Sequence, residues 1–175
     1  MTDSFWMNII STLLSAGLVL GAVYMLLNKF FDNEERRRYH ELRANNQKIS
    51  LPIRLQAYER LTLLLERLSI NNLIVRVKKS GMSAADLQAA LINEIRAEYD
   101  HNLSQQIYIS NDAWANVVNA KESIIRQIHV CYSTLPSGAS SLDLSKAIFE
   151  SNMREEMPAT FKSILVLKEE AQQIF

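Results

Sequence analysis

Phe5–Leu27, FWMNIISTLLSAGLVLGAVYMLL, decides how the rest of the chain is read. It lies within Ser4–Asn28, which is free of ionisable side chains and bounded by Asp3 and Lys29. At a helical rise of about 1.5 Å per residue such a run reaches roughly 37 Å, enough to cross a hydrocarbon core of about 30 Å with some tilt. The stretch therefore predicts one membrane-spanning helix. Phe5 and Trp6 at one end, and Tyr24, Phe30 and Phe31 at the other, suit interfacial aromatic belts. A cleaved secretory signal would carry a basic start and a shorter apolar core. Only Asp3 is charged before this run, so a retained signal anchor is expected.

Working outward, five basic residues follow the run and none precedes it: Lys29, Arg36, Arg37, Arg38 and Arg43. Basic residues concentrate on the cytoplasmic side of a span, which predicts an outside N-terminus and a cytoplasmic remainder. The same residues offer a membrane-surface patch for anionic lipid. Within the run, Gly17 and Gly21 form G-x-x-x-G beside Ala16 and Ala22. Small residues on one face let two helices approach closely in lipid, so the pair marks a helix-packing face for self-association or a protein partner. Asp32–Lys48, DNEERRRYHELRANNQK, is polar and rich in helix formers, with Glu34 and Arg38 at i,i+4 spacing. It predicts a solvated stalk. The expected division is a transmembrane anchor over 1–28, a polar juxtamembrane helical stalk over 29–49, and a cytoplasmic α-helical domain over 50–175.

That domain reads as mainly α, with about five helices. Ser50, Leu51 and Pro52 predict a break and restart, because proline disfavours helix in the residue before it but suits a first turn. Ile53, Ala57, Leu61, Leu64 and Leu68 then recur at helical spacing, with Leu65 widening the stripe. Leu73–Lys79, LIVRVKK, is open between a helical turn and a short strand, which its β-branched residues and alternation favour; Ile107–Ile109 is a second short apolar run, and the two could make one minor strand pair. Ser83 with Asp86 has capping-box spacing, and the helix it opens should run to about Asn102 with Leu87, Ala90, Leu91, Ile95 and Tyr99 on one stripe. Ser110 is the next expected cap. It precedes a long central helix carrying Trp114, Val117, Val118, Ile124, Ile125, Ile128, Tyr132 and Leu135, closed by Pro136–Gly138. Two shorter helices are expected at about 142–153, with Leu144, Ala147 and Ile148 inward, and at about 159–174, with Phe161, Ile164, Leu165, Lys168 and Ala171 on adjoining turns. No repeat of fixed period is read.

Net charge is zero overall but unevenly placed. Lys29–Lys79 holds 12 basic and 6 acidic residues, whereas Ser80–Phe175 holds 7 and 12. No basic recognition module accompanies the first of these, so nucleic acid is not an expected partner. Beyond residue 28 the glycines are Gly81 and Gly138, 57 residues apart. Phosphate-cradling loops need clustered glycines, which excludes P-loop and dinucleotide-fingerprint chemistry. No nucleotide or other cofactor is implied. The single cysteine, Cys131, rules out a disulfide within the chain and fits a reducing compartment. Cys131 lacks a local nucleophile signature, and His129, two residues before it, points about 200° away on a helix. His40 falls in the solvated stalk.

The sharpest chemical constellation is Glu94 with Glu98-Tyr99-Asp100-His101. E-x-x-H places a carboxylate and an imidazole on one helical face and supplies ligands in di-iron four-helix proteins, but those use two such segments plus two more glutamates. One copy is present here, away from the Leu87, Leu91, Ile95 stripe. Glu94, Glu98 and His101 are thus the only metal candidates, and the bland reading of the same residues is a solvated helix end.

Two stretches, LPIRLQAYERLTLLLERL over 51–68 and GMSAADLQAALINEIRAEYDHNLSQQIYIS over 81–110, together with the preceding run and RRR stalk, resemble an uncharacterised family of small bacterial proteins. These have one N-terminal membrane helix and a helical cytoplasmic domain, and the resemblance covers residues 1–135. It implies architecture and bacterial origin and supplies no catalytic residue. The expected function is that of a non-enzymatic adaptor, scaffold or accessory subunit held at a bacterial inner membrane, with membrane lipid and a protein partner or second copy as its contacts. The alternatives are a metal-dependent enzyme using Glu94, Glu98 and His101, and an anionic-lipid surface binder using the basic stalk.

Overall fold

Helix-forming sequence dominates from end to end, and the computed structural model describes the backbone of residues 2–174. Side-chain surroundings are described for all of 51–174 and, earlier in the chain, for residues 17, 20, 21, 23–31, 33, 34, 37, 38, 41 and 48–50. The elements are α1 (Thr2–Leu68), α2 (Ile70–Val77), α3 (Ala84–Asn102), a 3-10 helix (Leu103–Tyr108), α4 (Asn111–Ser133), α5 (Ser141–Arg154) and α6 (Ala159–Gln172). Among the described residues there is no strand. The chain divides into two units, Met1–Ser50 and Leu51–Phe175.

In the first unit the expected architecture needs correction. Among the described residues, no helix is long and apolar enough to cross a membrane. Within the run Phe5–Leu27, side-chain surroundings are described at residues 17, 20, 21 and 23–27. The side chains of residues 5–16, 18, 19 and 22 lie outside the described ones. The Glu34–Arg38 pair is formed at 3.2 Å, joined by Arg37–Glu41 at 2.9 Å; both are exposed i,i+4 contacts that solvent and salt screen.

In the second unit one core joins the end of α1 to α2–α6. Ala57, Leu61, Leu64, Leu65 and Leu68 are buried as the stripe predicts, but Ile53 at its head stays 42% exposed. The expected strand pair is replaced by helix. Leu73–Val77 falls inside α2, where Ile70, Leu73 and Ile74 are buried and Val75 points out at 80% exposure. Ile70, Leu73, Ile74 and Val77 sit at i, i+3, i+4 and i+7, so helix buries one whole face where a lone ribbon would leave half its apolar groups wet. Residues 103–108 form the 3-10 helix, and Ile109 alone is extended and buried.

Strand-like pairing is confined to a single antiparallel bridge, Ser83 to Ser140. It exposes a short repeat that the sequence reading overlooked: G-M-S-A-A-D-L over 81–87 and G-A-S-S-L-D-L over 138–144. In each copy the glycine takes a left-handed backbone, with φ of 80° and 81°, which costs other residues about 1–2 kcal/mol. The serine two residues on then caps the next helix. Ser83 and Asp86 form a reciprocal capping box at α3, and Ser140 and Asp143 form the same box at α5. The Ala84 amide donates to the Ala139 carbonyl at 3.0 Å, and the Ser141 amide to the Met82 carbonyl at 3.2 Å. Two helix–loop–helix units, α2–α3 and α4–α5, are thus joined loop to loop about a local two-fold. Leu87 and Leu144, the last residue of each repeat, are both fully buried.

Helix α4 is the hub, packed on α3, α5 and α6. Val117, Ala120, Ile124 and Ile128 are buried along it, Tyr99 of α3 stacks on its Trp114 at 5.4 Å, and Lys121 lies 4.2 Å over the Tyr99 ring. On α6, Leu167 carries the burial, with Thr160 and Ser163; Phe161 is 50% exposed.

Helix α6 is tied down by a polar network reaching across the chain. The Ser110 hydroxyl accepts from the Ala113 amide at 3.1 Å as the α4 cap and donates to the Glu170 carboxylate, which also accepts the Ser110 amide at 2.9 Å. The Tyr58 hydroxyl donates to Glu170 at 2.6 Å, and Arg54 donates to that hydroxyl at 3.2 Å and to the Tyr108 carbonyl at 3.1 Å. Glu170 therefore performs at α4 the service that Asp86 and Asp143 perform locally at α3 and α5.

Candidate functional site

The chemistry-bearing residues singled out in the sequence converge on a groove between the end of α1 and α3. Helical spacing puts Glu94, Glu98 and His101 on one side of α3, and the amphipathic register of α1 brings Arg60, Leu63 and Arg67 opposite, enclosing a cavity of about 500 Å³. Arg76, on the polar face of α2, reaches the same carboxylates. Arg67 Nε donates to Glu98 at 2.7 Å, its Nη2 contacts the same oxygen, and Arg76 lies 3.1 Å from Glu94 and 3.5 Å from Glu98. Arg76 also donates to the Arg67 carbonyl at 3.4 Å.

The Glu98 side chain is only 13% exposed, so two guanidinium groups compensate its desolvation. This decides what the E-x-x-H can do. A cation ligated by Glu94 and Glu98 would have to displace arginines already bound, and among the described residues no group of three His, Cys, Asp or Glu side chains is placed to hold a metal. The groove joins three elements by charge pairing on a part-exposed surface, and contacts of this kind are individually worth under about 1 kcal/mol.

The remaining candidates are dispersed. Cys131 is buried, with its thiol 3.6 Å from the Ala147 carbonyl, and burial pushes its pKa up, opposite to what a nucleophile needs. His129 is exposed and accepts or shares a hydrogen bond with Gln88 Nε2 at 3.1 Å, well away from that thiol's environment on α5. In the first unit nothing lies within 4 Å of a Cβ built at Gly17 or Gly21. Arg37 and Arg38 are in the ion pairs already described, Lys29 is exposed, and the side chains of Arg36 and Arg43 lie outside the described residues.

A second cavity, of about 300 Å³, opens where the α1–α2 turn, α4 and the α5–α6 connection meet. Sequence reading gave no notice of it, because its residues come from segments up to 98 positions apart, Glu66 to Ile164, and none belongs to a recognised motif. Its one legible sign is Phe161, an aromatic residue on an otherwise ordinary helix face that the core does not take up.

Fold and grooves together define an all-α protein with paired helix–loop–helix units and open surface cavities. The chain belongs to the family described as Family of unknown function (DUF7935), whose sequence model matches residues 4–174. The match bears out membership of an uncharacterised family and covers the α5–α6 region as well. No curated protein and no solved structure matches the chain.

Proposed function

We propose that the protein is a non-enzymatic interaction module, an adaptor, scaffold or accessory subunit, that holds a protein partner against its α5–α6 edge. The observation carrying this reading is the exposure of large flexible apolar side chains there: Met153 at 85%, Met157 at 48% and Phe161 at 50%. Phe161 lines the 300 Å³ cavity, and Met153 and Met157 are next in sequence to its lining residues Asn152 and Pro158. Methionine adapts to irregular partner surfaces, and grouped exposed apolar residues mark contact sites more often than scattered ones do. The double variant Met153→Asp/Phe161→Asp should keep the wild-type thermal midpoint, since neither side chain is in the core, while losing the partner that co-purifies with the wild type from native cells. Retention of that partner would count against this face.

A second reading has its own support in the first unit. Tyr24, Met25, Leu26, Phe30 and Phe31 are each more than 60% exposed beside Lys29. Apolar aromatic groups next to basic ones suit adsorption to an anionic lipid surface, and a bacterial inner membrane, as the sequence resemblance implies, would supply one. The expected result is co-sedimentation with vesicles containing anionic lipid and little with neutral ones. Equal recovery with both would dismiss a role for the basic residues.

A further inference from the structure

We infer that α6 is a strap that detaches as one unit while the rest of the second unit stays folded, and that Glu170 is the latch holding it closed. The helices around it are anchored by several large apolar side chains: Leu87, Leu91 and Ile95 are buried on α3, Val117, Ile124 and Ile128 on α4, and Leu144 and Ile148 on α5. On α6 Leu167 alone is buried in this way, and the other buried residues, Thr160 and Ser163, are small and polar. Ile164, Val166, Ala171 and Ile174 are half-buried against the core. Much of the hold is therefore directional. The Ser163 hydroxyl is shared between the Asn116 carbonyl of α4 at 2.9 Å and the Ala159 carbonyl of its own helix at 3.0 Å. The Glu170 carboxylate gathers the Ser110 amide, the Ser110 hydroxyl and the Tyr58 hydroxyl. Hydrogen bonds weaken steeply with distance and angle, so a small displacement of α6 releases these contacts together.

The hinge is Glu155–Pro158, a connection outside any helix, and Met153–Met157 are exposed without interruption. Helix α6 then starts after Pro158 with no side-chain cap. A detached helix of 14 residues is marginal in water, so release unravels it and frees its amides. The latch also matters to α4. Helices α3 and α5 complete their capping boxes with their own Asp86 and Asp143, whereas the equivalent position of α4 is Ala113 and the carboxylate comes from Glu170. The same motion removes a wall of the 300 Å³ cavity, because Thr160, Phe161 and Ile164 of α6 line it together with Ile124 and Gln127 of α4. A partner bound to the α5–α6 face therefore holds the strap closed by mass action. That regulation rests on the face being a contact surface; the opening itself does not.

Native-state hydrogen exchange of the full chain, followed over a series of sub-denaturing urea concentrations, tests the strap. The backbone amides of residues 162–172 should share one opening, with protection about tenfold or more below that of the Leu91, Ile95 and Ile128 amides and a weaker dependence on urea. Glu170→Gln should lower the α6 protection by a further factor of about five or more. Glu169→Gln, at the exposed neighbour, should leave it at the wild-type level. Exchange of α6 with the same protection and urea dependence as α3 and α4 would overturn the strap, and so would unrelated rates along α6, which describe fraying. Unchanged α6 protection in Glu170→Gln would remove the latch. The first measurement is made on the wild type and decides the opening even where a variant fails to fold. If α6 opens separately but Met153→Asp/Phe161→Asp keeps its cellular partner, the strap stands and the contact face falls. If that variant loses the partner and α6 has no separate opening, the contact face stands and the strap falls.

Discussion

Ile128→Ala should destabilise the protein by about 2–5 kcal/mol, the largest loss expected from any single truncation named, because it leaves a cavity on the helix that α3, α5 and α6 all pack against. Ile128 is fully buried on α4, which contacts α3, α5 and α6 at once. Collapse around the missing methyl groups is restricted from three sides, and the cost of a large-to-small change rises with the void that persists. Val130, two residues further along the same helix, is 57% exposed, and Val130→Ala should fall within about 0.5 kcal/mol of wild type. Denaturant unfolding of the pair measures both. Similar losses at the two positions would mean that α4 is not the hub.

Glu170→Gln is expected to cost about 1–3 kcal/mol, through a polar network rather than through packing. Burial pushes the Glu170 carboxyl up, but hydrogen bonds from the Ser110 and Tyr58 hydroxyls and the Ser110 amide, with Arg54 nearby, outweigh it and hold the pKa below the ordinary glutamate value. The unfolded chain therefore binds the proton more readily than the folded one. The stabilisation is fully present above the unfolded-state pKa and is lost as pH falls through the depressed folded value. Wild type should consequently lose thermal stability more steeply than Glu170→Gln below about pH 4.3, where a free glutamate takes up its proton. Parallel acid profiles for the two proteins would show that Glu170 contributes nothing as a charged cap.

Much of this fold is written in local pattern. The Leu61, Leu64, Leu68 stripe, the Leu87, Leu91, Ile95 stripe and the Ile124–Ile128 face announce their helices and their burial, and Ser83 and Ser110 announce two helix starts. Leu73–Val77, open between strand and helical turn in sequence, is helix because Ile70, Leu73, Ile74 and Val77 form an i, i+3, i+4, i+7 set that outweighs β-branching and a four-residue alternation. The G-x-S-x-x-D-L repeat was present in the chain but too short to register as a period, and only the Ser83–Ser140 bridge shows why it occurs twice. Glu170 illustrates what no local reading supplies: its partner Ser110 is 60 residues away, and nothing around Glu170 distinguishes it from the exposed Glu169 beside it.

The candidate site divides in the same way. Glu94, Glu98 and His101 could be grouped from spacing alone, since three residues on one helix face need no tertiary information. What they do could not, because Arg67 and Arg76 arrive from other helices and convert potential ligands into paired charges. For the second cavity neither the grouping nor the chemistry was legible. Helical spacing places Phe161 on adjoining turns with Ile164 and Leu165, and its half exposure follows from α6 resting on α4 through Leu167, Ser163 and Thr160.

Photo-crosslinking in native cells, with a benzophenone amino acid placed at Phe161 or at Val130, tests the interaction-module reading most directly. The α5–α6 face predicts a discrete adduct with one protein from position 161, abolished by Met153→Asp, and none from the equally exposed position 130. No discrete adduct at 161, or the same adducts from both positions, would contradict it.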